Sequence, residues 1–272
     1  MIPVGLDHLT LFGMPPLQFV EIAAAAGAQT VGLQPGGFAE PPGGHEPYGL
    51  VGNPALCREL RRRMDDLGLA VGMIDGLLVA PGRSVRDYEA SLVDFAHLGV
   101  TRANAVSFDA LDRTVDEFAL LAELARPYGI RILLETCPLL TVRTLAQALG
   151  IIAQLDANLG LVIDTLHVAR TGEAELLARI DPALIGYVQL SDAPAAYPES
   201  DAAYMDMALH ERQLPGEGEL PLAAMLRAIP PGVVISAEVP LRSREAQGWT
   251  AQRRAAAVVE ASRRFLAGVG RA

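Results

Sequence analysis

The amino-acid sequence predicts an α/β fold, and within that class a single (β/α)8 TIM barrel spanning residues 1–272. Three features lead there. Eight short apolar runs alternate with longer segments of helical periodicity, the pattern of a parallel sheet with right-handed crossovers. The length of 272 residues suits an architecture that needs roughly 250. No G-x-G-x-x-G follows the first apolar run, as an open doubly wound dinucleotide-binding sheet would favour.

The eight strand candidates, in order, are "PVGLDHLTL" (3–11), "QTVGLQ" (29–34), "LAVGMIDGLLV" (69–79), "TRANAVSF" (101–108), "IRILLET" (130–136), "LGLVID" (159–164), "LIGYVQLSD" (184–192) and "GVVISAEV" (232–239). Between them, segments such as "PALCRELRRRMDDLG" and "TVDEFALLAELARPYG" carry apolar residues three and four apart and end in Gly, which marks helices and their C-terminal caps. A last helix is expected over about 249–268. Two connections are long: the Gly/Pro-rich 35–53 and the stretch from Ala193 to about Glu219. Both follow strands, so both are expected over the C-terminal mouth, where barrel enzymes bind substrate.

Composition narrows the function. Hydrophobic residues make up 51% of the chain, ample for a sizeable core. The net charge of −10, with no Lys/Arg run, argues against a nucleic-acid partner and gives no reason to expect a membrane surface. No apolar run approaches the roughly 18 residues of a membrane span, and the N-terminus lacks a signal-peptide pattern. The two cysteines, Cys57 and Cys137, are far apart, so neither a disulfide framework nor a structural zinc site is expected. A cytoplasmic protein with a small-molecule substrate follows as the expectation. A homo-oligomer is left open.

Acidic side chains then single out one end of the barrel. Glu135 closes the fifth run ("ILLETCP"), Asp164 the sixth ("LVIDTLH"), Gln189 and Asp192 lie near the end of the seventh ("VQLSD"), and Glu238 closes the eighth ("VVISAEVP"). A lone acid at a strand end is commonly a helix N-cap. Four consecutive strands each bringing an oxygen-bearing side chain to one rim is a different matter. Clustered carboxylates repel in a partly dry cleft, and a divalent cation removes that cost. Glu, Asp and an amide oxygen are hard ligands, suited to one Mn²⁺ or Mg²⁺, with Co²⁺ or Zn²⁺ open.

At these residues the chain resembles the xylose-isomerase-like superfamily of TIM barrels, which contains sugar and sugar-phosphate isomerases and epimerases. The matching stretches are "LLETCP", "LVIDTLHVARTG", "VQLSDAP", "RQLPGEGELPL" and "ISAEVP". The resemblance implies metal ligands at Glu135, Asp164 and Glu238, with the third ligand falling on Gln189 where His is commoner. It also implies that His167 contacts substrate and that Arg212, in the long loop after the seventh strand, reaches substrate oxygens or phosphate. The DNA-repair endonucleases of the same fold need further histidines on the earlier strands. Here none of the five histidines closes strand two, three or four.

Of the other residues, His8 and His210 are carried as substrate-binding candidates, His8 equally as a core histidine. His45 belongs to the Gly/Pro loop and His97 to a helix. Trp249 is read as packing, Glu217 of "PGEG" as solvated, and Cys137 as no nucleophile, because no base adjoins it in sequence. The expected reaction is proton abstraction beside a carbonyl through a metal-stabilised enediolate. Glu135 and Glu238 would remove and return the proton, giving isomerisation or epimerisation of a sugar, sugar phosphate or related polyol ketone. A dehydratase of the 3-dehydroshikimate or inosose type is the alternative, and a non-catalytic binding barrel a third reading.

Overall fold

The computed structural model describes residues 2–36, 41–155 and 157–271. Its strands are β1 (Gly5–Asp7), β2 (Thr30–Leu33), β3 (Ala70–Val79), β4 (Arg102–Ser107), β5 (Arg131–Leu134), β6 (Leu159–Asp164), β7 (Ile185–Leu190) and β8 (Val234–Ala237). They pair in chain order, all parallel, and β1 closes on β8 through Gly5↔Ser236 and Leu6↔Ala237. The result is a single (β/α)8 TIM barrel.

The helices are α1 (Pro16–Ala25), α2 (Pro54–Leu67), α3 (Glu89–Leu98), α4 (Leu111–Ala125), α5 (Leu145–Gln154), α6 (Thr165–Arg170), α7 (Asp201–His210), α8 (Leu222–Ala228), α9 (Arg242–Ala246) and α10 (Ala251–Gly268). Their ends carry the expected chemistry. The Asn53 side chain accepts from Leu56 N–H at the start of α2, Pro54 follows, and Gly68 ends the helix in the left-handed region at φ 69°. No helix among the described residues is long and apolar enough to cross a membrane.

Strand alternation builds the interior in two layers. Met73, Leu133, Val162 and Tyr187 form a small apolar cluster inside the barrel. Two residues further along the same strands stand Asp75, Glu135, Asp164 and Gln189. Because side chains on a strand repeat every second residue, whatever follows the floor at that spacing also faces inward. Register puts the layer level: Asp164 pairs with Gln189, and Gln189 with Ser236, two residues before Glu238. The larger core lies between strands and helices.

Two expectations about elements need correction. The run 3–11 is not one strand: β1 stops at Asp7 and residues His8–Leu11 form a 3₁₀ turn. All four turn residues are buried, so hydrophobicity alone could not separate turn from strand. Thr10 fixes the turn, donating to the Ala237 carbonyl (3.1 Å) and accepting from Val239 N–H (3.0 Å). The connection after β7 is not a plain loop either, since it contains α7, capped by Ser200 accepting from Ala203 N–H. Of the 35–53 connection, residues 37–40 lie outside the described residues.

His8 sits in the turn with both ring nitrogens engaged. Nε2 donates to the Met14 carbonyl (2.6 Å), so Nδ1 is left to accept from the Tyr48 hydroxyl (2.9 Å). Burial pushes its pKa down to about 4. An unfolded histidine binds a proton below about pH 6.5, whereas the folded one stays neutral to about 4. Between those values the unfolded state holds more protons, so this residue's contribution to stability falls as pH falls, by at most about 1.4 kcal/mol per pH unit. Denaturant titrations across that window are expected to show a shallower pH dependence for His8→Gln than for the unaltered protein; equal slopes would contradict the assignment.

Candidate active site at the barrel mouth

Glu135, Asp164 and Glu238, three of the acids expected at the strand ends, border one buried cluster, and they bring company. Asp164 does two things at once. Its Oδ1 caps α6, accepting from Leu166 N–H (2.7 Å) and His167 N–H (3.4 Å), while Oδ2 is left for a side-chain partner. There the guanidinium of Arg212 lies between two carboxylates: Nη1 is 2.9 Å from Asp164 Oδ2 and 2.9 Å from Glu238 Oε2. Arg212 is therefore no solvated loop residue. It is 3% exposed, and its Nε donates to the Ala208 carbonyl at the end of α7. Burial pushes the Asp164 carboxyl up, but Arg212, His167 and the Leu166 N–H together more than offset this and hold its pKa below the usual carboxylate range.

Glu238 shares the Arg212 guanidinium with Asp164, whereas Glu135 faces His167 at 3.7 Å. Burial drives Glu135 and Glu238 well above the ordinary glutamate value; neighbouring acids add to this in both, and Arg212 opposes it. Gln189 donates Nε2 to Glu238 Oε1 (2.8 Å) and to Asp75 Oδ2 (3.2 Å). Its Oε1 is buried with no hydrogen-bond partner. His167 turns Nδ1 to the Tyr204 hydroxyl (2.6 Å), which leaves Nε2 3.7 Å from Glu135 Oε1 and 3.6 Å from Asp164 Oδ2. Burial pushes His167 down to about 4, so it is neutral at physiological pH.

Glu135, Asp164 and His167 offer ligand atoms all within 4.8 Å of one another, a spacing that could hold a metal ion. Two further observations suit a cation here. The orphaned amide oxygen of Gln189 is a donor atom that lacks a partner. The Arg212 guanidinium already places a positive charge between Asp164 and Glu238. Glu135, Asp164 and His167 thus present a donor set that could hold a metal ion, with Gln189 and Glu238 beside them.

Three residues on the early strands were missed. Asp7, at the end of β1, accepts from the Tyr187 hydroxyl and from Ser236 Oγ, both at 2.6 Å. Burial, with Asp75 nearby, pushes it up to about 7. Gly32 on β2 makes room for it, because any Cβ there would collide with its carboxylate. Asp75 on β3 accepts from Asn104 Nδ2 (2.6 Å), and the same nitrogen donates to Glu135 Oε2 (2.5 Å). The signal was present: "VGLDHL" and "GMIDGL" each set an acid inside an apolar run, as "LGLVID" does.

The remaining candidates fall elsewhere. His8 packs against Phe19 and bonds Met14 and Tyr48. His210, half-buried at the end of α7, lies against the Phe12 ring at 5.7 Å. Asp192 does not share the cluster's work: its carboxylate accepts from the N–H groups of Ala193, Gly216, Gly218 and Leu220 at 2.9–3.1 Å and so clamps the "PGEG" turn. Gly218 must lack a side chain because a Cβ would strike that carboxylate. Glu217 pairs with Arg244. Arg244 and Arg253 both stack on Trp249. Cys137 is held up at about 12 by burial, far from thiolate chemistry. A cavity of about 440 Å³, lined by Gln34, Asp75, Arg83 and Tyr88 among others, opens beside the cluster on the β2–β3 side.

Fold and site together define a (β/α)8 barrel with a carboxylate-rich, cation-ready mouth. Residues 20–267 match the family model of the xylose isomerase-like TIM barrel, and the chain belongs to that family. Over 134 residues, 48% of this chain, it is 31% identical to inosose isomerase of Bacillus subtilis (strain 168); the match spans 46% of that relative, about half its length. The crystal structure of IOLI protein with a binding zinc atom superposes with a TM-score of 0.77 at 19% identity, covering 98% of this chain and 99% of the other. D-psicose 3-epimerase with D-tagatose, from Clostridium cellulolyticum H10, superposes at 0.73 with 13% identity over 100% of both chains. At such identities the structural likeness is one of fold.

Replacing Arg212 by Leu strands two buried carboxylates. Metal-free Arg212→Leu is expected to lose about 3–5 kcal/mol of unfolding free energy at pH 8, as when one partner of a buried ion pair is removed. The loss should shrink toward pH 5 as the stranded acids take up protons. Urea denaturation at both pH values checks this, and a loss below about 1 kcal/mol at pH 8, the scale of a surface pair, would contradict the buried ion pair.

Proposed function

We propose that this protein is a divalent-metal-dependent isomerase or epimerase that moves a proton beside the carbonyl of a small polyol ketone, such as an inosose or a ketose sugar. The observation that carries the reading is the clustering of Glu135, Asp164 and His167, with Glu238 joined to Asp164 through Arg212 and the Gln189 amide oxygen buried and unpartnered. The partial likeness to an inosose isomerase favours the same chemistry.

A bound Mn²⁺ or Mg²⁺ would act as a Lewis acid toward the substrate carbonyl and offset the charge that grows on its oxygen. The chain supplies the rest. Glu135 and Glu238 follow β5 and β8, three strands apart around an eight-stranded barrel, so they approach a ligand in the mouth from different sides. Burial raises both above the ordinary glutamate value, and a carboxyl group held beside the reacting carbon can give and take a proton. One removes the proton from carbon and the other returns it. His167, neutral and held by Tyr204, orients substrate oxygens, and Arg212 binds them once it yields its place between Asp164 and Glu238.

The test is proton exchange in D₂O with a panel of inososes and ketoses and added Mn²⁺. Deuterium is expected at the carbon beside the carbonyl, with an isomer or epimer as product, and none after chelation. Release of water with an unsaturated ketone would transfer the site to the dehydratase reading, and no turnover across the panel would overturn the proposal. Glu135→Gln and Glu238→Gln are each expected to slow the exchange by about 10²–10⁴-fold. A rate unchanged in Glu238→Gln with metal still bound would remove that residue from proton transfer.

A further inference from the structure

Asp75 lies on β3, outside the four strands that present the metal ligands, yet it is joined to both glutamates by the same kind of bridge. Its Oδ1 accepts from Asn104 Nδ2, which also donates to Glu135 Oε2. Its Oδ2 accepts from Gln189 Nε2, which also donates to Glu238 Oε1. Each carboxamide thus spends both N–H groups on two carboxylates. Asp75 is 9% exposed, and Asn104 and Gln189 are 0% and 1% exposed.

From this geometry we infer that Asp75 is the positioning residue for both proton-transfer glutamates, acting through Asn104 and Gln189; the inference rests on the metal-dependent reading above. Both Asp75 oxygens accept from a carboxamide nitrogen, so Asp75 dictates which end of each amide turns toward it. With the nitrogens committed, the carbonyl oxygens of Asn104 and Gln189 are the amide atoms left without partners. For Gln189 that is the oxygen needed as a metal donor. Asp75 therefore sets the positions of Glu135 and Glu238 and the face that Gln189 presents. It does so at a cost: an acid that is 9% exposed sits among other buried acids.

That cost separates positioning from mere support of the fold. Asp75→Asn keeps the shape, but an asparagine offers one accepting oxygen where the carboxylate offers two, so one carboxamide must let go. The experiment compares unaltered protein and Asp75→Asn in three readouts: Mn²⁺ affinity by titration, kcat and KM for solvent exchange on the substrate found above, and thermal midpoint of the metal-free protein. The expected result is a loss of about 10–100-fold in kcat and in Mn²⁺ affinity, the usual scale for groups behind metal ligands, with KM nearly unchanged. The metal-free midpoint should stay level or rise, because one member of a crowded group of buried acids has gone. Unchanged kcat and Mn²⁺ affinity would overturn the inference, as would a midpoint that falls in step with activity.

Asn104→Ser, which cuts only the branch to Glu135, supplies an independent arm. Its effect on kcat and that of Asp75→Asn should combine to less than their product, because they share one path. Full multiplicativity would contradict it. If the unaltered protein neither binds Mn²⁺ nor exchanges protons, the proposed function fails and the role of Asp75 with it. If it does both and Asp75→Asn matches it, only the role of Asp75 fails.

Discussion

Negative charge gathered where water is scarce is the constraint around which this barrel is arranged. Asp7, Asp75, Asp164 and Glu238 are each at most 9% exposed, and the Glu135 side chain is 11% exposed. Arg212 is the cation that lies among them. Each uncompensated buried ion costs several kcal/mol even after relaxation, so roughly balanced charge is not optional for such a cluster. Much of the local structure answers that demand. Two carboxamides donate to four carboxylate oxygens, Tyr187 and Ser236 donate to Asp7, and the start of α6 donates two N–H groups to Asp164. Four of the five acids nevertheless remain pushed upward, so the site retains an appetite for positive charge.

The barrel is what makes such crowding possible. A closed sheet has no edge, and its inward side chains come at fixed two-residue spacing from every strand. Met73, Leu133, Val162 and Tyr187 pack the floor dry; Asp75, Glu135, Asp164 and Gln189 stand one step above it. The floor holds its polar neighbours in place and lowers the dielectric around them, which strengthens each interaction in the cluster. The connection after β7 then folds over the rim. Asp192 ties down the "PGEG" turn, and α7 carries Tyr204 to His167 and places Arg212 just beyond its end. Rigid strands supply the acids, and a folded connection supplies the groups that meet an incoming ligand.

Strand order and the polar side chains at the ends of the four late strands were legible because an acid ending an apolar run is conspicuous and because neighbouring runs must neighbour in space. Asp7 and Asp75 obeyed the same rule and were overlooked. Asp75 lies mid-strand, with Gly76 and three apolar residues still to come, and Asp7 lies in a run that continues as a buried turn. Arg212 was legible as a candidate but not as a partner of Asp164 and Glu238, since nothing local in "HERQLPGEG" signals which residue a loop will bury. The reading of Asp164 as either a cap or a functional acid was a false choice, because its two oxygens divide the tasks. Asp192 shows the converse: an acid in the right stretch whose oxygens are all taken by backbone.

The central claim is that one cation is held at the mouth by donors from β5 to β8. Anomalous diffraction from crystals grown with Mn²⁺ tests it most directly. The account predicts a single strong peak about 2.0–2.6 Å from oxygens of Glu135, Asp164, Gln189 and Glu238, with Arg212 displaced from its position between two of them. A mouth without a peak, with Arg212 still bridging Asp164 and Glu238 at saturating Mn²⁺, would contradict it.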